Sequence, residues 1–308
     1  MTVATPDPRR VVTVIIPTYN DPRLPQCLQA VAALDEPTGW RIEVVVVDNR
    51  SDVPPRQLVE SLPNATFIVE SRRGSYAARN TGIAMATGEI LAFTDSDCRP
   101  AQDWLVAAIG RLEVEPQLAA VAGRVRTSFE RGRPRSPVEW WEAVEAFPQE
   151  WYVGQGFGVT ANLVVRRKAG ESVGWFDAAA QSGGDRDFGR RLTDSGGRLA
   201  YAPDAAVSHP ARTTWRELFT KGRRTAKGHA RLETVQRRPL WHFPIAVYWF
   251  AVELYSVVKR GLTHPELDDL SARVQYVVAG FIFRSFWFLE KWRWRLLYAR
   301  QAARGTLE

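Results

Sequence analysis

The sequence predicts an α/β domain built on a mostly parallel central sheet with helices on both faces, followed by a helical C-terminal extension. Three observations predict it. Short β-branched runs alternate with amphipathic stretches through the first hundred or so residues. The strand-like runs are apolar throughout rather than alternating, as strands buried on both faces are. From residue 240 onward the chain turns aromatic, apolar and basic, and several of its 12 Trp fall there.

Val11 to Ile16 (VVTVII) reads as the first buried strand, stopped by Pro17. Leu24, Cys27, Leu28, Val31 and Ala32 then fall at helical spacing and predict a helix over about 24 to 34. The second strand, Ile42 to Val47, ends in Asp48. A proline-rich loop with a short helix leads to a third strand around Thr66 to Val69, and a helix carrying Ala77, Ala78 and Met85 follows. The fourth strand, Glu89 to Thr94, runs directly into Asp95-Ser96-Asp97. Repeated strand-helix units of this kind pair in parallel and bind ligands at the carboxyl ends of their strands. Beyond residue 115 the pattern becomes mixed. A strand near 119 to 125 precedes a segment rich in Arg, Pro, Trp and Glu that reaches Trp151. The glycine-punctuated GQGFGV, a strand around 160 to 166 and a helix from near Asp185 complete the pattern.

With 308 residues, 45% of them hydrophobic and 24% charged, the chain can bury a sizeable core, which excludes disordered and fibrous classes. The excess of 41 Lys and Arg over 34 Asp and Glu favours anionic partners. Nucleic acid is not expected among them, because no nucleic-acid module appears and the basic residues gather ahead of an apolar tail. Two cysteines make no disulfide framework, and MTVATPDPRR lacks the apolar stretch of a secretory signal, so a cytoplasmic location is expected.

Asp95 and Asp97 stand two residues apart on extended chain, so both carboxylates point to one side. They can share a hard divalent cation, Mg²⁺ or Mn²⁺, or divide into a metal ligand and a ribose contact. The same triplet also suits a solvated loop with a helix cap ahead of Pro100. The other strand ends add a stacking ring and a hydroxyl in Thr18 and Tyr19, a carboxylate in Asp48, and a cation in Arg79. Together these are the equipment of a nucleotide site. Neither Gly-x-Gly-x-x-Gly nor a Gly-x-x-x-x-Gly-Lys-Ser/Thr loop is present, so a metal rather than a glycine cradle has to hold the phosphates.

VTVIIPTYND, VVVVDNRSD, GSYAARNTGIAMATGEILAFTDSDC and GGDRDFGRRL, in that order over about residues 11 to 210, resemble the successive motifs of the family 2 glycosyltransferases of GT-A fold. The likeness is greatest to bacterial, non-processive members that build polysaccharide or lipid-linked glycans. It implies inverting transfer from a nucleotide-diphosphate sugar, usually a UDP-sugar, to a hydroxyl of a saccharide or polyprenyl-linked acceptor, with Mn²⁺ or Mg²⁺ as cofactor. By the same resemblance Thr18, Tyr19 and Asp48 contact the uracil and ribose, and Arg79 approaches the base or the diphosphate. Asp95 binds ribose or metal-bound water, Asp97 coordinates the metal, and His209, ending YAPDAAVSHP, is a candidate further ligand. The family usually shows Glu-Asp followed two residues later by another Asp. Here Gly184-Asp185 precedes Arg186-Asp187, so Asp185 corresponds to the general base and the Glu is absent. The alternative for this segment is a helix cap at Asp185 and a pairing of Asp187 with Arg190 or Arg191.

The resemblance divides the chain into a catalytic domain over 1 to 210, with a nucleotide-binding half at about 11 to 100 and an acceptor half at about 101 to 210. A basic helical linker over 211 to 239 and amphipathic helices over 240 to 308 follow. Trp140, Trp141, Glu142, Trp151 and Tyr152 are expected to contact a sugar acceptor as a group, or else to pack as core. The two apolar segments after residue 240 fall short of the roughly 20 residues of a spanning helix, and Glu253 and Arg284 interrupt them. With Lys259, Arg260, Lys291, Arg293 and Arg295 they suit peripheral attachment to the anionic inner face of the cell membrane. Packing on the catalytic domain, or a homo-oligomer, is the alternative. A sugar nucleotidyltransferase would need a glycine- and Arg-rich loop after strand one, which Pro17-Thr18-Tyr19 does not supply. A processive synthase would need several spanning helices. A nucleotide-sugar-binding protein without turnover stays open because of Gly184.

Overall fold

A computed structural model describes residues 9–235 and 242–303. The first eight residues of the segment read for a secretory signal, Arg237 and Arg238 of the basic run, Trp241, and residues 304–308 of the tail lie outside the described residues. The chain divides into two compact units. The first comprises residues up to 126 with 147–180 and 184–209; the second comprises 127–146, 181–183 and everything from 210.

In chain order the elements are β1 Arg10–Thr18, α1 Leu24–Ala32, β2 Trp40–Asp48, α2 Arg56–Glu60, β3 Ala65–Val69, α3 Ser75–Met85, β4 Ile90–Thr94 and β5 Arg99–Pro100. They continue with α4 Trp104–Val114, β6 Leu118–Ser128, α5 Pro137–Glu145, α6 Gln149–Gly154, β7 Asn162–Arg166, α7 Arg167–Val173, α8 Gly184–Asp194 and β8 Arg198–Pro210. Three long helices close the series: α9 Trp215–Val235, α10 Phe243–Thr263 and α11 Leu270–Ala303.

The first unit holds an eight-stranded sheet in the order β3-β2-β1-β4-β7-β6-β8-β5. Its first four strands are parallel, each reached through a crossover helix, as the strand-helix repetition requires. The pairings β4–β7, β6–β7 and β5–β8 run antiparallel, so the sheet is mixed. Period-two geometry sorts the apolar residues of β1: Val12, Val14 and Ile16 pack in one core with Leu28 of α1 and Leu105 of α4, while Ile15 packs in the other with Ile83 of α3. Burying each such side chain contributes about 1.5–3 kcal/mol. That is why β1 is apolar on both faces.

Register then places the chemistry. Thr18 lies opposite Asp48 at the carboxyl ends of β1 and β2, and Thr94 lies opposite Asn162 where β4 meets β7. α3 can lie close on this sheet because residue 82 is glycine: a Cβ there would come within 2.6 Å of Ile15 Cγ2 and 3.1 Å of Val47 Cγ2. Arg79 is thereby set one turn earlier on the same helix, with its side chain buried.

The second unit is helical. Trp141 of α5, Leu218 of α9, Val257 of α10 and Tyr276 of α11 share one buried cluster, with Trp141 stacked on Tyr276 at 5.6 Å. Trp140 is buried in the same cluster, and Glu142 is fully buried between Arg212 (2.7 Å) and Lys221 (3.2 Å). These three residues are therefore core of the second unit, the second of the two readings of the Trp-rich segment, so acceptor contact is withdrawn for them, whereas Trp151 is exposed. An adjacent Trp pair reads the same in either role. Glu253 and Arg284, the charges that interrupt the two apolar segments, pair with each other at 3.2 Å between α10 and α11. Among the described residues no helix is long and apolar enough to cross a membrane.

Candidate active site

The site lies in the first unit, at the carboxyl ends of β1, β2 and β4. Two loops define its floor. After β1, Asn20 adopts a left-handed backbone (φ 46°) and its amide exchanges hydrogen bonds with Asp52, Nδ2 donating to Oδ2 at 2.9 Å and Oδ1 accepting Asp52 N–H at 2.9 Å. That clamp ties the β1–α1 loop to the β2–α2 loop. Inside it Thr18 and Asp48 are buried, and the Asp48 carboxylate accepts the Ser51 N–H at 3.2 Å. Tyr19 is 58% exposed, a ring presented to solvent at the strand tip.

Asp21 then ties this loop to the acidic triplet, accepting the Ser96 hydroxyl at 2.8 Å and both the N–H and Nε of Arg23 at 3.0 Å. Burial alone would raise the Asp21 pKa, but these hydrogen bonds outweigh it and hold the carboxyl below its ordinary value. Arg23 reaches on to Asp97 at 3.3 Å, and His209 Nε2 lies 3.4 Å from the same Asp97 oxygen. His209 itself packs on the Phe147 ring at 4.6 Å. Burial pushes the Asp97 carboxyl upward; His209 and Arg23 oppose the shift, and Asp95 and Asp21 add to it.

Asp95 forms an ion pair with Arg79, whose side chain is 4% exposed and whose buried Nε has no hydrogen-bond partner. An orphaned buried N–H is costly. Its presence beside a carboxylate pair marks a place where an anion can be received. Asp95, Asp97 and Cys98 offer ligand atoms within 4.8 Å of one another. Burial and the two aspartates push the Cys98 thiol well above its ordinary pKa, and sulfur is a soft donor that suits Mg²⁺ or Mn²⁺ less well than oxygen does. What remains is an all-oxygen pair with an imidazole against it. That donor set fits Mg²⁺ or Mn²⁺.

Asp185 stands in the first turn of α8. Its Oδ1 accepts the Thr160 hydroxyl at 3.0 Å and its N–H donates to the Tyr76 hydroxyl at 3.3 Å. Thr160 comes two residues before Asn162, so the β4–β7 register carries it to the side of the sheet where Asp95 and Ser96 follow Thr94. Burial raises the Asp185 pKa; Arg79, Thr160 and Tyr76 oppose the rise, and Asp95 adds to it. Asp187 pairs with Arg191 at 3.0 Å on the helix surface. The structure thus brings Arg79, Asp95, Asp97, His209 and Asp185 into one charged cluster, beside the buried Thr18–Asp48 pair and the exposed Tyr19.

The sequence profile described as Glycosyl transferase family 2 matches residues 13–174, more than half of the chain. The chain belongs to that family.

As a family 2 glycosyltransferase it has recognisable relatives. The glycosyltransferase AglE of Haloferax volcanii is 34% identical over 78% of this chain and 80% of its own length. The succinoglycan biosynthesis protein ExoM of Rhizobium meliloti is 30% identical over 74% of this chain and 78% of its own. Among solved structures, the mannosyltransferase PcManGT from Pyrobaculum calidifontis, in complex with GDP-Man and Mn²⁺, superposes with a TM-score of 0.58 at 23% identity, covering 91% of this chain and 89% of that one. The fold is GT-A.

Three residues of this glycosyltransferase's site carry no sequence signal of their own. Arg23 reads as an ordinary loop cation, Thr160 as the start of a strand, and Tyr76 as part of a helix face. Each is recruited by the register of strands far from it in sequence. The spacing of Arg23 from Asp21 is the nearest thing to a signal, since a cation two residues after a strand-end carboxylate can pair with it locally.

Proposed function

We propose that this family 2 glycosyltransferase is an inverting enzyme that takes a nucleoside-diphosphate sugar, a UDP-sugar in the first instance, and transfers the sugar to a hydroxyl of a saccharide or polyprenyl-linked acceptor. The observation that carries the reading is the convergence of the Asp95–Asp97 pair, the partly unsatisfied Arg79 and the Asp185 carboxylate at one sheet edge. PcManGT, a fold neighbour, was solved with GDP-Man and Mn²⁺, and its base differs from the uracil proposed here.

Thr18, Tyr19 and Asp48 would receive the base and ribose, Tyr19 by stacking. Arg79 would turn its free Nε–H toward the diphosphate. Asp95, Asp97 and His209 would hold a divalent cation, which offsets the negative charge that develops on the leaving diphosphate. Asp185 accepts the proton of the acceptor hydroxyl. The freed oxygen pair attacks the anomeric carbon as the bond to the phosphate oxygen breaks, and that bond's electrons leave with the nucleoside diphosphate. A single displacement inverts the centre. We further propose that the second unit attaches the enzyme peripherally to an anionic membrane surface on the cytoplasmic side, which supports a lipid-linked acceptor. The exposed apolar side chains of α10 and α11 favour this.

The test is thermal stabilisation by a panel of UDP-, GDP- and dTDP-sugars with and without Mn²⁺ or Mg²⁺. A ligand that binds only the folded state raises its stability, by about 2.7 kcal/mol at a hundredfold excess over Kd. Metal-dependent stabilisation by UDP-sugars, lost in Asp97→Ala, is the expected result. Stabilisation by GDP- or dTDP-sugars alone would overturn the base, and stabilisation of equal size without metal would overturn the metal. Binding with no transfer to any hydroxyl acceptor would turn the reading toward a nucleotide-sugar-binding protein.

A further inference from the structure

Tyr76 has no part in the nucleotide or metal chemistry above, yet it is 5% exposed and held from several sides. Its ring stacks on Phe176 at 5.5 Å, and Phe176 in turn packs at 4.9 Å on Phe188, one turn after Asp185 in α8. The Arg79 guanidinium, three residues on in α3, lies 5.5 Å from the ring centre. The flat face of the ring fills the space in front of Gly184: a Cβ built there would meet Tyr76 Cζ at 2.7 Å and Cε2 at 2.8 Å. Any side chain at 184 would displace the ring.

The hydroxyl is placed by this packing. It accepts the Asp185 N–H at 3.3 Å. Thr160 donates to the Asp185 carboxylate from the segment ahead of β7. Two hydroxyls from separate elements therefore fix Asp185, Tyr76 through its backbone N–H and Thr160 through its carboxylate. We propose that Tyr76 is the positioning residue for Asp185, anchoring the first turn of α8 from which the carboxylate projects, and that glycine at 184 is the complement its ring requires. The proposal rests on Asp185 being the base. The arrangement has a structural consequence: α3 carries Arg79 to Asp95 and Tyr76 to Asp185, so one helix sets the distance between the leaving-group side and the acceptor side of the site.

Tyr76→Phe keeps the ring, its stacking and its fit against Gly184, and removes only the O–H. The charged and titratable groups facing Asp185 are Arg79, Asp95 and Tyr76 itself. Once that anchor is gone the carboxylate moves off its place beside Arg79, the cation that most lowers its pKa, so its pKa rises. The first readout needs no substrate. In ¹³C-aspartate-labelled protein, the Asp185 carboxyl signal, assigned by its loss in Asp185→Asn, is titrated in wild type and Tyr76→Phe. We expect the midpoint to move up by about one unit, a tenfold change in proton affinity. The second readout is transfer from whichever UDP-, GDP- or dTDP-sugar stabilises the wild type. Here kcat is expected to fall about tenfold or more, as for loss of a hydrogen bond that places the base, with the donor KM unchanged. Gly184→Ala, which pushes the ring aside with its hydroxyl intact, is expected to give the same fall in kcat. An unmoved midpoint and wild-type kcat in Tyr76→Phe, while Asp185→Asn is inactive, would overturn the positioning role and leave the base in place. Full transfer by Asp185→Asn would overturn both.

Discussion

In the proposed mechanism Asp185 is the carboxylate that takes a proton near neutral pH, and the upward direction of its pKa suits that role. Burial raises its pKa, and the raising influence outweighs Arg79 and the two hydroxyls. A base acts in its ionised form, so activity is present above that pKa and is lost as pH falls through it. Because the shift is upward, the acid limb of kcat/KM is expected above the ordinary aspartate range. Asp185→Asn should lower kcat by about 10²–10⁴-fold while the donor-induced rise in Tm stays within a degree or so of wild type, since the base does not hold the donor. A pH–rate profile of the wild type checks the first statement, and kinetics with thermal shifts check the second. Asp95 and Asp97 were legible in the sequence because they follow directly on a strand end, and Arg79 and Asp185 because they lie in recognisable motifs on α3 and α8. Arg23, Thr160 and Tyr76 were not. Their roles arise from pairings between separate elements, Arg23 with Asp97, Thr160 with Asp185 and Tyr76 with Asp185, that only the fold creates.

At the scale of the element, α3 matters most, because it bears both Arg79 and Tyr76 and is seated on β1 and β2 through Gly82. Glycine in a helix costs about 1 kcal/mol relative to alanine. Here close approach to Ile15 and Val47 offsets that cost. Gly82→Val adds volume where none is available, and overpacking of this kind typically costs about 1–3 kcal/mol. We expect the urea midpoint to fall with an unchanged m-value, and donor-induced stabilisation to weaken as Arg79 is lifted from Asp95. A midpoint at or above wild type would show that helix propensity prevails over the contact. The parallel half of the sheet could be read from composition, since β1, β2 and β4 are continuous apolar runs between amphipathic helices. The segment over 127–146 could not be read in that way. Its two tryptophans, Trp140 and Trp141, are adjacent, and that pair alone does not say whether it meets sugar or the α9 and α11 side chains it packs on.

For the molecule as a whole, the second unit leaves a surface that water does not favour. Tyr248, Tyr255 and Leu262, spaced seven residues apart on one face of α10, are 63%, 69% and 62% exposed. Leu289 and Leu296 repeat the spacing on α11 at 67% and 51%. The charges in and beside these segments are paired: Arg284 meets Glu145 and Glu253, Arg260 meets Glu145, and Lys291 meets Glu233. Arg295 is buried, so of the cations expected at a membrane surface Lys259 and Arg293 remain exposed. Attachment should then depend more on apolar insertion than on charge. A large apolar side chain taken from water contributes about 1.5–3 kcal/mol, against about 1 kcal/mol for each basic residue near an anionic surface. Tyr248→Glu combined with Tyr255→Glu is expected to weaken binding to phosphatidylglycerol vesicles at least tenfold in a sedimentation assay. Lys259→Gln should weaken it only a few fold, and 0.5 M salt should have a similarly small effect. Both changes fall on exposed positions, where substitutions usually alter stability by less than about 0.5 kcal/mol, so Tm serves as the control for folding. If the wild-type chain ignores vesicles and instead sediments as a dimer that the double substitution dissociates, the face belongs to a second copy of the chain and the membrane reading fails.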